Sequence, residues 1–225
     1  MNLEDIKKLK IATEKLTKWE STGQAFGHFD NIKSKPKGYN IYEFYCCMRI
    51  MKDLQQHYDV ELIPSTLGKS IFPESPASKN GWAYFKIEPK DRTSTHYQVC
   101  FGTNIKISSS PDTTCAPDIS FQNINSSSDP DENDVELIMD AKFKTDRDTK
   151  FSIGTIREFI TMINDLQTNN ASSTDIKFNL LPSIKSNCLI SNGKVIVKHQ
   201  QYCSNNNLLQ VGSFVHDSSS FDIIG

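Results

Sequence analysis

The sequence predicts a mixed α/β domain, a central sheet flanked by helices, from three observations. Stretches at 59–63, 82–88, 95–107, 117–123 and 135–143 read as strands. An apolar helix precedes them, and an amphipathic helix follows them. Residues 3–20 form the first helix, with Leu3, Ile6, Leu9, Leu16 and Trp19 near one side. A Gly/Lys/Pro segment, 22–38, breaks it. Asn40 then caps a helix running to about His57, whose middle, Ile41 to Met48, is apolar almost all round and should be buried. At 135–143, Val135, Leu137, Met139, Ala141 and Phe143 alternate with Glu136, Ile138, Asp140 and Lys142, the two-residue period of a half-buried strand. Ile153, Ile156, Ile160, Ile163 and Leu166 mark a helix from Ser152 to Gln167. Asn192-Gly193, between Cys188-Leu189-Ile190 and Val195-Ile196-Val197, is a two-residue hairpin signal, and 208–215 adds a last strand.

Ser/Asn-rich stretches at 108–114, 123–134 and 168–175 read as surface loops. With no repeat and no boundary, the 225 residues suit a single domain: an N-terminal helical extension at 1–38, a core at 39–167 and C-terminal strands at 168–225.

Composition, 37% hydrophobic with a mean hydropathy of -0.47, describes a polar globular chain. No apolar run approaches the roughly 18–20 residues needed to cross a bilayer, and the charged start, Met1 to Lys8, is unlike a signal peptide, so a cytoplasmic protein is expected. Six cysteines without a Cys-x-x-Cys pair read as buried thiols, and nothing argues for zinc, haem or a thiol nucleophile. Net charge is -2, unevenly placed: residues 108–140 contain many acids and no base.

The chemistry lies in Pro117-Asp118 and Asp140-Ala141-Lys142. Asp140 and Lys142 share a strand face. With Asp118 supplied by a neighbouring strand, the set can hold a divalent cation beside a proton acceptor, equipment for phosphodiester hydrolysis. Two carboxylates about 4 Å apart repel by about 4 kcal/mol at an effective dielectric of about 20, so the pair calls for a proton or a cation. All-oxygen ligation, completed by water and the Ala141 carbonyl, suits Mg²⁺ or Mn²⁺ rather than zinc.

This Pro-Asp, spacer, Asp-x-Lys pattern resembles the PD-(D/E)xK nuclease superfamily over residues 39–167. The resemblance implies a restriction endonuclease-like core, a Mg²⁺-dependent endodeoxyribonuclease of a restriction or phage-defence system, and Asp118, Asp140 and Lys142 as catalytic residues. Lys142 would orient or deprotonate the attacking water. Many members carry a Glu on the helix before the sheet, which places Glu43 in the catalytic and metal set; equally, with Asn40 as cap, Glu43 could complete a capping box. DNA contact falls to Lys33, Lys35, Lys37 and Lys144, the last within the cluster Lys142, Lys144, Arg147 and Lys150. A homodimer is expected, since one such site cuts one strand. Ile156-Arg157-Glu158-Phe159 lacks the Gln-x-x-x-Tyr signature of helicase-associated exonucleases. Asp129-x-Asp131-x-Asn133 imitates a calcium loop, but Pro130, Asp134 at the glycine position and a following strand reject an EF-hand. The competing expectation is a non-catalytic nucleic-acid-binding or assembly subunit with the same fold.

Overall fold

The computed structural model describes residues 3–34, 38–67, 71–91, 96–168, 176–179, 187–216 and 221–224. Three helices, α1 (Leu3–Thr17), α2 (Gln24–Ile32) and α3 (Gly38–Leu54), precede the strands β1 (Tyr58–Ile63), β2 (Tyr84–Pro89), β3 (Tyr97–Phe101), β4 (Ile105–Ile107), β5 (Ser110–Cys115), β6 (Ile119–Asn123) and β7 (Val135–Lys142). Then follow α4 (Ile153–Asp165), β8 (Asn187–Ser191), α5 (Gln200–Ser204), β9 (Leu208–Gly212) and β10 (Asp222–Ile224). Eight strands make one mixed sheet in the order β1-β2-β3-β6-β7-β8-β9-β10, and β4 and β5 pair separately. From β1 to β7 neighbours run antiparallel, β7-β8-β9 run parallel, and β10 returns antiparallel.

Helices cover both faces. Apolar residues of α1, α2 and α3, among them Leu9, Phe29, Phe44 and Met48, pack with Phe85, Val99, Phe121, Leu137 and Met139. On the other face Ile156, Phe159 and Ile163 of α4 and Cys203 of α5 pack with Ile138 and Leu189. The strand β7 is therefore buried on both sides, as a central strand is. Ser152 caps α4 where expected, accepting from the Thr155 N–H at 3.0 Å.

Several local expectations are corrected. Within the segment read as a break, α2 forms because Ala25, His28, Phe29 and Ile32 bury one face; Gly23, at φ 72°, starts it, and the Glu20 carboxylate accepts from the Thr22 and Ala25 N–H groups at 2.6 and 3.2 Å. The strand expected over 95–107 ends at Gly102, whose φ of 58° turns the chain. Residues 110–115, expected in a loop, form β5 against β4. Asn40 lies inside α3 rather than at its cap, so the Asn40–Glu43 capping box does not form.

The hairpin expected at Asn192-Gly193 is absent: β8 lies parallel to both neighbours, and Val197–His199 is a short 3-10 turn. Asn192 and the preceding Ser191 instead brace the end of β7. Asn192 accepts from the Lys144 N–H at 2.6 Å and donates to the Lys144 carbonyl at 2.7 Å. Ser191 Oγ donates to the Lys142 carbonyl at 2.8 Å and accepts from the Gly193 N–H at 2.9 Å. A Cβ on Gly193 would meet the Thr149 carbonyl oxygen at 2.2 Å, so only glycine fits. Gly193→Ala should therefore lower unfolding free energy by about 1–3 kcal/mol in urea denaturation, the cost of forcing two backbones apart.

Candidate active site

Ile119 of β6 stands opposite Met139 of β7, so the same register carried one residue further sets Asp118 against Asp140. The register shift in this pair, between Phe121 and Gln122, lies deeper in the strand and leaves this end aligned. Asp140 is buried, its side chain 7% exposed, and Lys142, 40% exposed, brings Nζ to 2.5 Å from Asp140 Oδ2. Asp118 Oδ2 accepts from the Ala141 N–H at 2.7 Å. Since the N–H and C=O of a strand residue leave on the same side, the Ala141 carbonyl is directed to that side too, beyond the first residue of β6.

Glu43 reaches this cluster from α3, which packs across β7. Burial, then the Asp140 charge, push the Glu43 carboxyl up to about 7, with Lys142 opposing. Asp118 is held well above the usual carboxylate range, chiefly by burial and then by Asp140 and Glu43, against the pull of the Ala141 N–H and Lys142. Burial lowers the Lys142 amine, but the Asp140 charge and hydrogen bond, aided by Asp118 and Glu43, outweigh it, and the net shift is upward. Lys142 is thus a cation at neutral pH. In that form it can orient a water and stabilise developing negative charge. The charges act on one another: Asp140 raises the proton affinity of Glu43 and Asp118, and Glu43 raises that of Asp118. Among the described residues, no three His, Cys, Asp or Glu side chains converge closely enough to enclose an ion.

A cleft of about 310 Å³ opens beside the carboxyls, lined in part by His28, Asn40, Glu43, Phe101, Gly102 and Asp118. The Gly102 N–H donates to the Asp118 carbonyl at 3.0 Å, tying the turn after β3 to the start of β6. A hollow of about 390 Å³ along β1 and β2 contains none of these acids. Pattern reading misses Asn40 as a cleft residue, because its place in the first turn of α3 suggests a cap, and misses Ser191 and Asn192 because a hairpin signal masks them.

The proposed phosphate contacts are scattered. Lys33, at the end of α2, pairs with Asp30; Lys35 and Lys37 lie outside the described residues. Lys144 lies two residues past β7, but Arg147 of the same cluster pairs with Asp5 at 2.9 Å. The acids of 129–134 have structural work: Asp131 and Asp134 cap a short 3-10 turn, Asp129 pairs with Lys106, and Glu132 accepts from the Ser108 N–H at 2.8 Å. All six cysteines are free, and burial raises their thiols, Cys100 to about 11, which leaves no thiolate nucleophile at neutral pH. No helix among the described residues is long and apolar enough to cross a membrane.

Comparison with protein-family models, with curated proteins and with solved structures found no match.

The raised carboxyls make a pH prediction. An acid whose folded-state pKa exceeds its unfolded value of about 4.5 binds more protons when folded, so its contribution to stability is greatest below that unfolded value and is lost as pH rises through about 7. In EDTA the melting temperature should fall by about 5 °C more between about pH 5 and pH 8 in the parent than in Glu43→Gln, at about 2–4 °C per kcal/mol for a domain of this size. Differential scanning fluorimetry checks it; identical slopes would place Glu43 outside the coupled unit.

Proposed function

We propose that the chain is a metal-dependent nuclease hydrolysing DNA phosphodiester bonds, an endonuclease with the restriction endonuclease-like core of the PD-(D/E)xK superfamily. The supporting observation is the β6–β7 register, which sets Asp118 against Asp140 with Lys142 on the same strand as Asp140. Glu43, brought from a separate helix into the same field, has no reason to be there in a merely salt-bridged strand face.

The donor set fits Mg²⁺ or Mn²⁺. Such ions are commonly held by one or two carboxylates and several waters, so a closed cage of three protein ligands is not required. Asp118 and Asp140 each commit one oxygen, to the Ala141 N–H and to Lys142, and the other carboxylate oxygens and the Ala141 carbonyl would take the ion. Bound there, the ion would polarise the phosphate and acidify a water. Lys142 supplies positive charge for the pentacovalent oxygens, and Glu43, with its proton affinity near neutrality, is suited to take a proton from the attacking water. One site cuts one strand, so a duplex break would take two copies about a twofold axis.

Asp118→Ala, Asp140→Ala and Lys142→Ala should each lower Mn²⁺-dependent cleavage by about 10³-fold or more, and Glu43→Gln by about 10²-fold, with folding intact by circular dichroism. Parental turnover in Lys142→Ala would overturn the mechanism. The alternative, a non-catalytic assembly subunit, draws on the Lys142–Asp140 contact, which already neutralises one acid. Titration calorimetry separates them: a nuclease takes up Mn²⁺ and loses that uptake in Asp140→Asn, whereas the assembly subunit gives no heat and no cleavage.

A further inference from the structure

The cleft beside Asp118 has features that catalysis at the carboxyls does not use. Its volume, about 310 Å³, lies at the small end of the roughly 300–1,000 Å³ typical of small-molecule sites, room for one nucleoside and not for a stacked base pair. Its acids are Glu43, Glu74 and Asp118, and among the described residues no lysine or arginine lines it. A phosphate finds no countercharge among these side chains, so the part of a nucleic acid that they suit is the uncharged base. Its walls suit one: Phe101, Pro73, Pro76 and Ile32 offer apolar surface for a ring. Asn40 lines the same cleft, and its Oδ1 is buried with no hydrogen-bond partner. A buried acceptor left unpaired is costly, and a ligand N–H that reached it would supply the missing partner.

We propose that this cleft receives one unpaired nucleobase bearing an exocyclic amino group, from the nucleotide next to the scissile phosphate, so that the substrate is a single-stranded or locally unpaired nucleic acid. The proposal rests on the nuclease reading of the adjoining carboxyls and deepens it. Asp118 lines the cleft at one side and accepts from Ala141, between Asp140 and Lys142, so a phosphate held at those residues has its neighbouring base at the cleft mouth. Within an intact duplex that base is stacked and paired and cannot enter. Asn40 Oδ1 accepts from the amino group of cytosine or adenine; thymine presents a carbonyl oxygen at the corresponding position, where acceptor faces acceptor.

The test is fluorescence anisotropy of the full chain, with Ca²⁺ in place of Mg²⁺ or Mn²⁺, on labelled homo-oligomers of about twelve nucleotides, in ribose and deoxyribose forms, and on a duplex of the same length. Cytosine and adenine strands should bind about tenfold more tightly than thymine or uracil strands and than the duplex. Asn40→Leu should bring all single strands to the thymine level while its melting temperature stays within about 2 °C of the parent. Equal binding of thymine strands, or duplex binding as tight as cytosine strands, would overturn the proposal, and if Asn40→Leu does not fold, the parental comparison decides alone. Digestion of the same oligomers with Mn²⁺ keeps the two readings apart. Base-selective binding without cleavage overturns the nuclease reading and leaves the cleft; cleavage of duplex and single strands alike, without base preference, overturns the cleft and leaves the nuclease.

Discussion

The pairing of β7 with its two neighbours is the constraint from which the rest of the molecule follows. Leu137, Met139 and Ala141 are buried with the α3 side of the core, and Ile138 with the α4 side. A slip of one residue would exchange these sets, setting Asp140 and Lys142 among apolar side chains and pulling Leu137 and Met139 out of their packing. Each buried aliphatic side chain is worth about 1.5–3 kcal/mol, so the core resists that slip strongly. The same register sets Asp118 opposite Asp140. The placement of the acids is thus a by-product of hydrophobic packing that has no interest in their charge.

That placement is electrostatically unfavourable in the protein by itself. Glu43 and Asp118 both have raised proton affinities, from burial first and from like charge second. Lys142 offsets part of the repulsion through its contact with Asp140. Arrangements of this kind persist where the surrounding fold over-determines them, and they are where stability is given up for chemistry. The buried, two-faced packing of β7 and the anchorage of α3, where Tyr42 Oη donates to the Phe214 carbonyl at 3.0 Å, supply that over-determination.

Parallel pairing of β7 with β8 brings a distant part of the chain to the site. Ser191 and Asn192 hold the backbone of Lys142 and Lys144, so the strand end that carries Lys142 is fixed by side chains about fifty residues later in the sequence. The C-terminal strands β8, β9 and β10 are therefore part of the central sheet. Likewise the N-terminal helices help to close the core, with Leu9 and Phe29 packed into it.

The sequence by itself determined the elements whose cause is local. The two-residue alternation of β7, the apolar run of α3 and the helical spacing of apolar residues in α4 are all written in neighbouring residues, and so is the sharing of one strand face by Asp140 and Lys142. It also singled out Asp118 and Glu43, but not their relation to Asp140, which depends on strand register and on how a helix lies across a sheet. Where local signals misled, a non-local partner had won. Asn192-Gly193 has the residues of a hairpin turn, yet the chain after β8 is claimed by Lys144, Thr149 and the parallel strand β9. Gly102 interrupts an apparently continuous strand because the turn there meets the start of β6, and Asn40, to all appearance a helix cap, lies in the first turn of α3 and lines a cleft whose opposite wall is more than sixty residues away in the chain. Turn and cap propensities are worth about 1 kcal/mol each, and the burial of a sheet face outweighs them many times over.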